Sequence, residues 1–148
     1  MSYVLDTNVL LRSVQKHHAM FKDADIAVKT LLGFGEVLYV TSQNLIEFWA
    51  VATRPLANNG LGLTVEGATH ELKELKAIFL VLPDTPDILT EWEQLVIQNR
   101  VSGKQAHDAR IVAAMKVHSV THLLTFNTDD FKRYADVTAV HPTSVTAP

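Results

Sequence analysis

Five short apolar runs, spaced by stretches with a helical period, constrain this chain more than any other feature. Tyr3-Val4-Leu5, Val37 to Thr41, Phe79 to Leu82, His122 to Thr125 and Val137 to Val140 are rich in β-branched, aromatic or leucine side chains. Breakers bound them: Gly33 and Gly35 before the second, Pro83 after the third, Pro142 soon after the fifth. They read as five strands. Segments 22–32, 43–54 and 105–117 carry helical patterns, and Thr64 is placed to cap a helix with Val65, Ala68, Leu72, Leu75 and Phe79 on one face. Phe79 therefore belongs to two patterns, and that boundary is soft. Thr85 before Pro86 forms a cap-then-N1 pair opening a helix with Ile88, Leu89, Trp92, Leu95 and Val96 inward. Such alternation predicts an α/β fold, a parallel sheet covered on both faces. Ligands then bind outside the carboxyl ends of the strands. Functional residues are expected just after strands.

The remaining features narrow the class. A chain of 148 residues, 47% apolar and 20% charged, suits one globular domain spanning 1–148, with a core over about 2–141. The polar stretch Thr143–Pro148 is expected to fray. Cysteine is absent, so disulfides and thiolate metal sites are excluded. The start, Met1-Ser2-Tyr3-Val4-Leu5-Asp6, has no basic n-region, and no run approaches the roughly 18 apolar residues of a spanning helix. A cytoplasmic protein with no membrane partner is expected. A net charge of −3 argues against a large constitutive basic stripe, though not against a nuclease with acids gathered at a metal site.

Three carboxylates fall where the sheet rule asks for them. Asp6 directly follows the first strand, where it serves as a ligand, as the N-cap of Thr7–Val14, or as both. Glu47 is the only charge in Leu45 to Ala52; beside that much apolar surface a carboxylate should be paired, metal-bound, or reach water at the rim. Asp108 lies in line with Ile111, Val112 and Met115 in the first turns of a helix, pointing inward or favoured there by the helix dipole. A fourth polar group, Asn127, Asp129 and Asp130, follows the fourth strand, and a capped turn also accounts for it. Converging carboxylates repel unless a cation or proton intervenes, and oxygen-only ligands select hard ions, Mg²⁺ or Mn²⁺. A haloacid-dehalogenase-type phosphatase would want a second Asp where Asn8 stands, and the later acids and Lys of a response-regulator receiver are missing.

Taken in order, Val4-Leu5-Asp6-Thr7-Asn8-Val9-Leu10-Leu11, Gln43 to Phe48, His107 to Ala114 and Leu124 to Phe131 resemble a PIN domain, most nearly the VapC ribonuclease toxins, over about residues 2 to 141. The resemblance implies a three-layer α/β/α sandwich with strand order 3-2-1-4-5 and Mg²⁺- or Mn²⁺-dependent endoribonuclease activity leaving 5′-phosphate and 3′-hydroxyl ends. Asp6, Glu47 and Asp108 match the family's main acidic positions. Asn127 stands where many relatives carry aspartate, so Asn127 or Asp129 is expected to complete the site. Thr7 and Thr125 match supporting hydroxyls. The likeness also implies a cognate antitoxin partner and a homodimer; apolar residues on the helices at 22–32 or 64–79 are candidates for that interface or, equally, for the core.

Arg54, on the Glu47 face two turns on, and Lys104 and Arg110, flanking Asp108, are candidates for RNA phosphate contacts, with solvated surface charge as the alternative for each. His17-His18 lacks partners at metal-site spacing and reads as an exposed loop; His107 reads as a polar helix-start residue. The competing function is a PIN fold that binds RNA or protein without cutting.

Overall fold

The computed structural model describes residues 1–145. Strand β1 is Ser2–Leu5, followed by α1 (Thr7–Val14), α2 (Phe21–Gly33), β2 (Val37–Thr41), α3 (Ser42–Ala52), α4 (Val65–Ile78), β3 (Leu80–Leu82), α5 (Pro86–Gln98), α6 (Gln105–Val117), β4 (His122–Leu124) and β5 (Thr138–Val140). Short 3₁₀ turns occupy Leu56–Asn58, Thr128–Phe131 and Pro142–Ser144. The strands form one sheet, ordered β3-β2-β1-β4-β5, with every neighbouring pair parallel. Tyr3 is in register with Leu38 on one side and His122 on the other.

Alternation along the strands divides the apolar residues between two cores. Tyr3, Leu5, Leu38, Val40 and Leu124 face a core completed by α1, α2, α3 and α4. Val4, Leu82 and Leu123 face the other, completed by α5 and α6. A two-residue side-chain period makes this division unavoidable once the sheet is covered on both sides. Because all strands are parallel, their carboxyl ends share one edge. The chain leaves that edge at Asp6, Ser42, Pro83, Thr125 and His141.

Helix α3 is held at both ends. Thr41 and Asn44 form a capping box: the Asn44 amide donates to Thr41 Oγ1 at 3.1 Å, while Asn44 Oδ1 accepts from the Thr41 amide at 2.9 Å. At the far end, the returning loop caps the open carbonyls, with Leu61 N donating to Val51 O at 3.0 Å and Leu63 N to Ala52 O at 2.9 Å. Gly60 permits this close return, since a Cβ there would lie 2.0 Å from the Arg54 carbonyl oxygen.

Local differences from the sequence reading have local causes. Phe79 is the C-cap of α4, its ring buried in the first core, so β3 begins one residue later. Thr85 occupies the N-cap of α5, yet Ile88 N donates to its backbone carbonyl at 3.1 Å and its buried hydroxyl has no partner among the described residues. Helix α3 stops before Arg54, and the fourth and fifth strands exclude Thr125 and Val137. Contacts hold the chain at 142–145. Pro142 is buried, His141 Nδ1 accepts from Thr143 N at 3.2 Å, and Val145 packs against the first core. Residues 146–148 lie outside the described residues. Among the described residues no helix is long and apolar enough to cross a membrane.

Candidate active site

Asp6 is the most constrained acid. It leaves β1 in an extended conformation, caps α1 and is 7% exposed. The Thr7 amide donates to its Oδ1 at 2.8 Å. Its Oδ2 accepts from the Thr125 hydroxyl at 2.8 Å and from Asn8 Nδ2 at 3.2 Å. Asn8 spans the same corner: its Oδ1 accepts from Phe126 N at 3.2 Å, and its Nδ2 reaches Thr125 Oγ1 at 3.3 Å. Asn127 N completes the set, donating to Thr125 Oγ1 at 3.0 Å. Burial raises the Asp6 pKa and the Asp130 charge adds to the rise, while these hydrogen bonds oppose it.

Glu47 projects half-buried from the second turn of α3. Its Oε1 accepts from Gln43 Nε2 at 3.1 Å. Burial raises its pKa; the Gln43 bond works against that, the Asp6 charge with it. Asn44 ties this helix to the β1 corner by donating from Nδ2 to Thr7 Oγ1 at 3.2 Å. Asp108, half-buried in the first turn of α6, receives no hydrogen bond among the described residues. Burial pushes its pKa up to about 6, helped by the charges of Asp6, Asp130 and Glu47 and opposed by His107. The three expected acids therefore share one electrostatic neighbourhood at the carboxyl edge of the sheet.

The fourth group divides in an unexpected way. Asp129 is exposed, and Lys132 Nζ binds its Oδ1 at 2.6 Å, which lowers its pKa. Asn127 is exposed and contributes its backbone amide to Thr125. Asp130 is the residue of this turn whose charge acts on both Asp6 and Asp108. Sequence reasoning noticed Asp130 without selecting it, and it gave Asn8, Gln43 and Asn44 no role in the site. Their signal was position: each is an amide side chain within four residues of an acid or of a strand exit.

The basic candidates scatter. Arg110 lies at the rim, its Nη1 3.4 Å from Gln43 Oε1 and its Nη2 3.4 Å from Asp84 Oδ1, and Asp84 Oδ2 accepts from Ser42 Oγ at 2.6 Å. Lys104 is exposed at the N-cap of α6. Arg54 follows the end of α3, roughly 10 Å along the helix direction from Glu47, and is exposed. His17 and His18 line a separate cavity of about 630 Å³ with Leu56, Leu61 and Glu71, away from Asp6, Glu47, Asp108 and Asp130.

This donor set bears on which ion fits. Among the described residues no three His, Asp or Glu side chains are gathered closely enough to cage a metal. The acids act on one another through charge without forming a closed coordination shell. Mg²⁺ keeps several waters and binds through one or two carboxylates, so an open, all-oxygen, anionic edge suits it or Mn²⁺; a dehydrated cage would suit other ions.

A five-stranded parallel sheet in this order, with acids gathered at its carboxyl edge, defines a class of fold. The family model described as PIN domain matches residues 3–137, and the chain belongs to that family. Solved structures agree on the fold. VapBC2 from Rickettsia felis, bound to a DNA fragment from its promoter, superposes with TM-score 0.71 at 18% identity, covering 95% of this chain and 98% of that one. VapBC-1 from nontypeable Haemophilus influenzae gives 0.70 at 18% identity, covering 97% and 100%. VapC20 from Mycobacterium tuberculosis, described as a sarcin-ricin loop cleaving toxin, gives 0.59 at 19% identity, covering 82% and 86%. Among curated proteins, none matches.

Proposed function

We propose that this PIN domain is a Mg²⁺- or Mn²⁺-dependent endoribonuclease of the VapC type, hydrolysing RNA phosphodiester bonds. The observation that carries the reading is the convergence of Asp6, Glu47 and Asp108 from three separate elements, with Asp6 raising the pKa of both Glu47 and Asp108, and Glu47 that of Asp108. Nothing in folding requires this. Gathering uncompensated carboxylates costs stability, and a cation site is the economical reason to keep them.

Asp6, Glu47 and Asp108 would hold the ion, with Asp130 as the neighbouring fourth acid in preference to Asn127 or Asp129. When bound there, a divalent ion would supply Lewis-acid stabilisation of charge on the phosphate and would lower the pKa of the attacking water. Asp6 keeps a fixed orientation through Thr7, Asn8 and Thr125. Glu47 or Asp108 accepts the water's proton. The water oxygen forms a new bond to phosphorus as the bond to the 3′ oxygen breaks, and the 3′ oxygen takes a proton from solvent, leaving a 5′-phosphate and a 3′-hydroxyl. Thr7 and Thr125 support the acids, and Lys104 is the rim cation free to meet a phosphate, with Arg54 further out along the strand's path. Within this reading the chain works as a homodimer in the cytoplasm and is restrained by an antitoxin; the fold it shares with chains of the solved VapBC complexes supports the antitoxin.

One observation favours a second reading, a PIN module that binds RNA or a protein without cutting: Asn127, an amide where the family resemblance has an acid, is exposed and gives the site only its backbone N–H. Incubating purified protein with structured RNAs and Mg²⁺ or Mn²⁺, beside Asp6→Asn, separates the two. Cleavage lost in the mutant supports the nuclease. Cleavage unchanged in the mutant removes the site assignment, and RNA retention without any cleavage supports the binding module.

A further inference from the structure

Gln43 lies in the first turn of α3, buried, one helical turn ahead of Glu47. Every polar atom of its amide is engaged. Nε2 donates to Glu47 Oε1 at 3.1 Å and to the His107 carbonyl at 2.7 Å, while Oε1 accepts from Arg110 Nη1 at 3.4 Å. A primary amide has two donor hydrogens and one acceptor oxygen, so this pattern uses each for what it does best. Turned over, the amide would set its oxygen against a carboxylate and a carbonyl, and its hydrogens against a guanidinium. Only one orientation fits.

The contact matters because of what it joins. Helix α3 packs in the core on one face of the sheet and α6 in the core on the other. No shared apolar layer sets the distance between Glu47 and Asp108 across the edge. Gln43 does so directly, since its His107 partner is the residue preceding Asp108. We propose that Gln43 is a positioning residue that sets Glu47 against Asp108 across the sheet edge, and that Arg110 acts through Gln43 by fixing its amide orientation. The proposal rests on the nuclease reading for its purpose, though not for its geometry.

The test compares Gln43→Met, which keeps volume and removes all three hydrogen bonds, with wild type. Mn²⁺ binding to the RNA-free protein is followed by the electron paramagnetic resonance signal of the free ion, and kcat and KM are measured on an RNA substrate. Loss of a residue that orients a ligand typically costs about 10–100-fold. Gln43→Met is expected to weaken Mn²⁺ binding at least ~10-fold and to lower kcat similarly, with KM for RNA unchanged. Adding Arg110→Met to Gln43→Met should weaken Mn²⁺ no further, whereas Arg110→Met alone should weaken it. Wild-type Mn²⁺ affinity and kcat in Gln43→Met overturn the proposal, and so does a loss confined to KM. Should Gln43→Met not fold, Gln43→Asn keeps the amide but withdraws it from Glu47, and the same outcomes decide. Mn²⁺ binding that Asp6→Asn abolishes, in a protein that cuts no RNA, would end the nuclease reading and leave this proposal to stand or fall on the Gln43 variants.

Discussion

The two sides of the acidic edge are built on different terms. At the β1 corner, both oxygens of Asp6 are hydrogen-bonded, by a backbone amide, a buried hydroxyl and an asparagine. Across the edge, Glu47 accepts one hydrogen bond from its own helix and has the Thr7 side chain favouring its charged form, and Asp108 has no hydrogen bond among the described residues. The corner is fixed by hydrogen bonds within the protein. The far side gathers more negative charge than His107 offsets, and a cation or proton relieves the remainder. Orientation is thus supplied on one side and electrostatic demand on the other.

The largest effect expected from disturbing this contrast is on turnover. Asp6→Asn should reduce RNA cleavage by more than the ~100-fold typical of outer-shell changes, read in initial rates at saturating Mg²⁺. Thr125→Val attacks the organised corner without touching an acid. It leaves Asp6 short of its 2.8 Å bond, and a hydrogen bond to a charged group is worth about 1.5–3 kcal/mol, so urea unfolding should show a loss of that order.

Disturbing the far side should act in the opposite sense. The Asp108 pKa is raised to about 6, so between about pH 4 and 6 the folded state binds the proton that the unfolded state has released. Its contribution to stability is therefore complete at low pH and is lost as pH rises through 6. Asp108→Asn removes that loss. In metal-free protein the mutant should match wild type near pH 4 and exceed it at pH 7 by about 1–2 kcal/mol, after allowing for solvent screening. Thermal unfolding at the two pH values checks this, and an equal offset at both would show that packing, not charge, is responsible. The smallest effect separates neighbours: Asp130→Asn should slow cleavage, whereas Asp129→Asn should leave the rate within about twofold, as for other exposed ion pairs.

That last pair also marks where the sequence stopped being informative. The strands and their parallel arrangement were legible because apolar runs, glycines and prolines report directly on period and boundary. Asp6, Glu47 and Asp108 were legible because each interrupts an apolar pattern. Asp129 and Asp130 sit in a 3₁₀ turn, where successive side chains point about a third of a circle apart. Which of them faces the acids depends on how burial of Phe131 and Tyr134 sets the phase of that turn, a tertiary fact. Gln43 was hidden for a similar reason. Its three partners come from α3 and α6, and nothing local to residue 43 announces α6.

Helix α3 behaves as a shaft seated in two bearings, the Thr41–Asn44 box at one end and the amides of Leu61 and Leu63 at the other. A shaft so mounted cannot turn or slide. The heading of Glu47 is then inherited from the whole helix, and the loop through Gly60, far from the acids in sequence, is part of the instrument that aims them. Lengthening that loop by one residue would change no acid and still spoil the alignment.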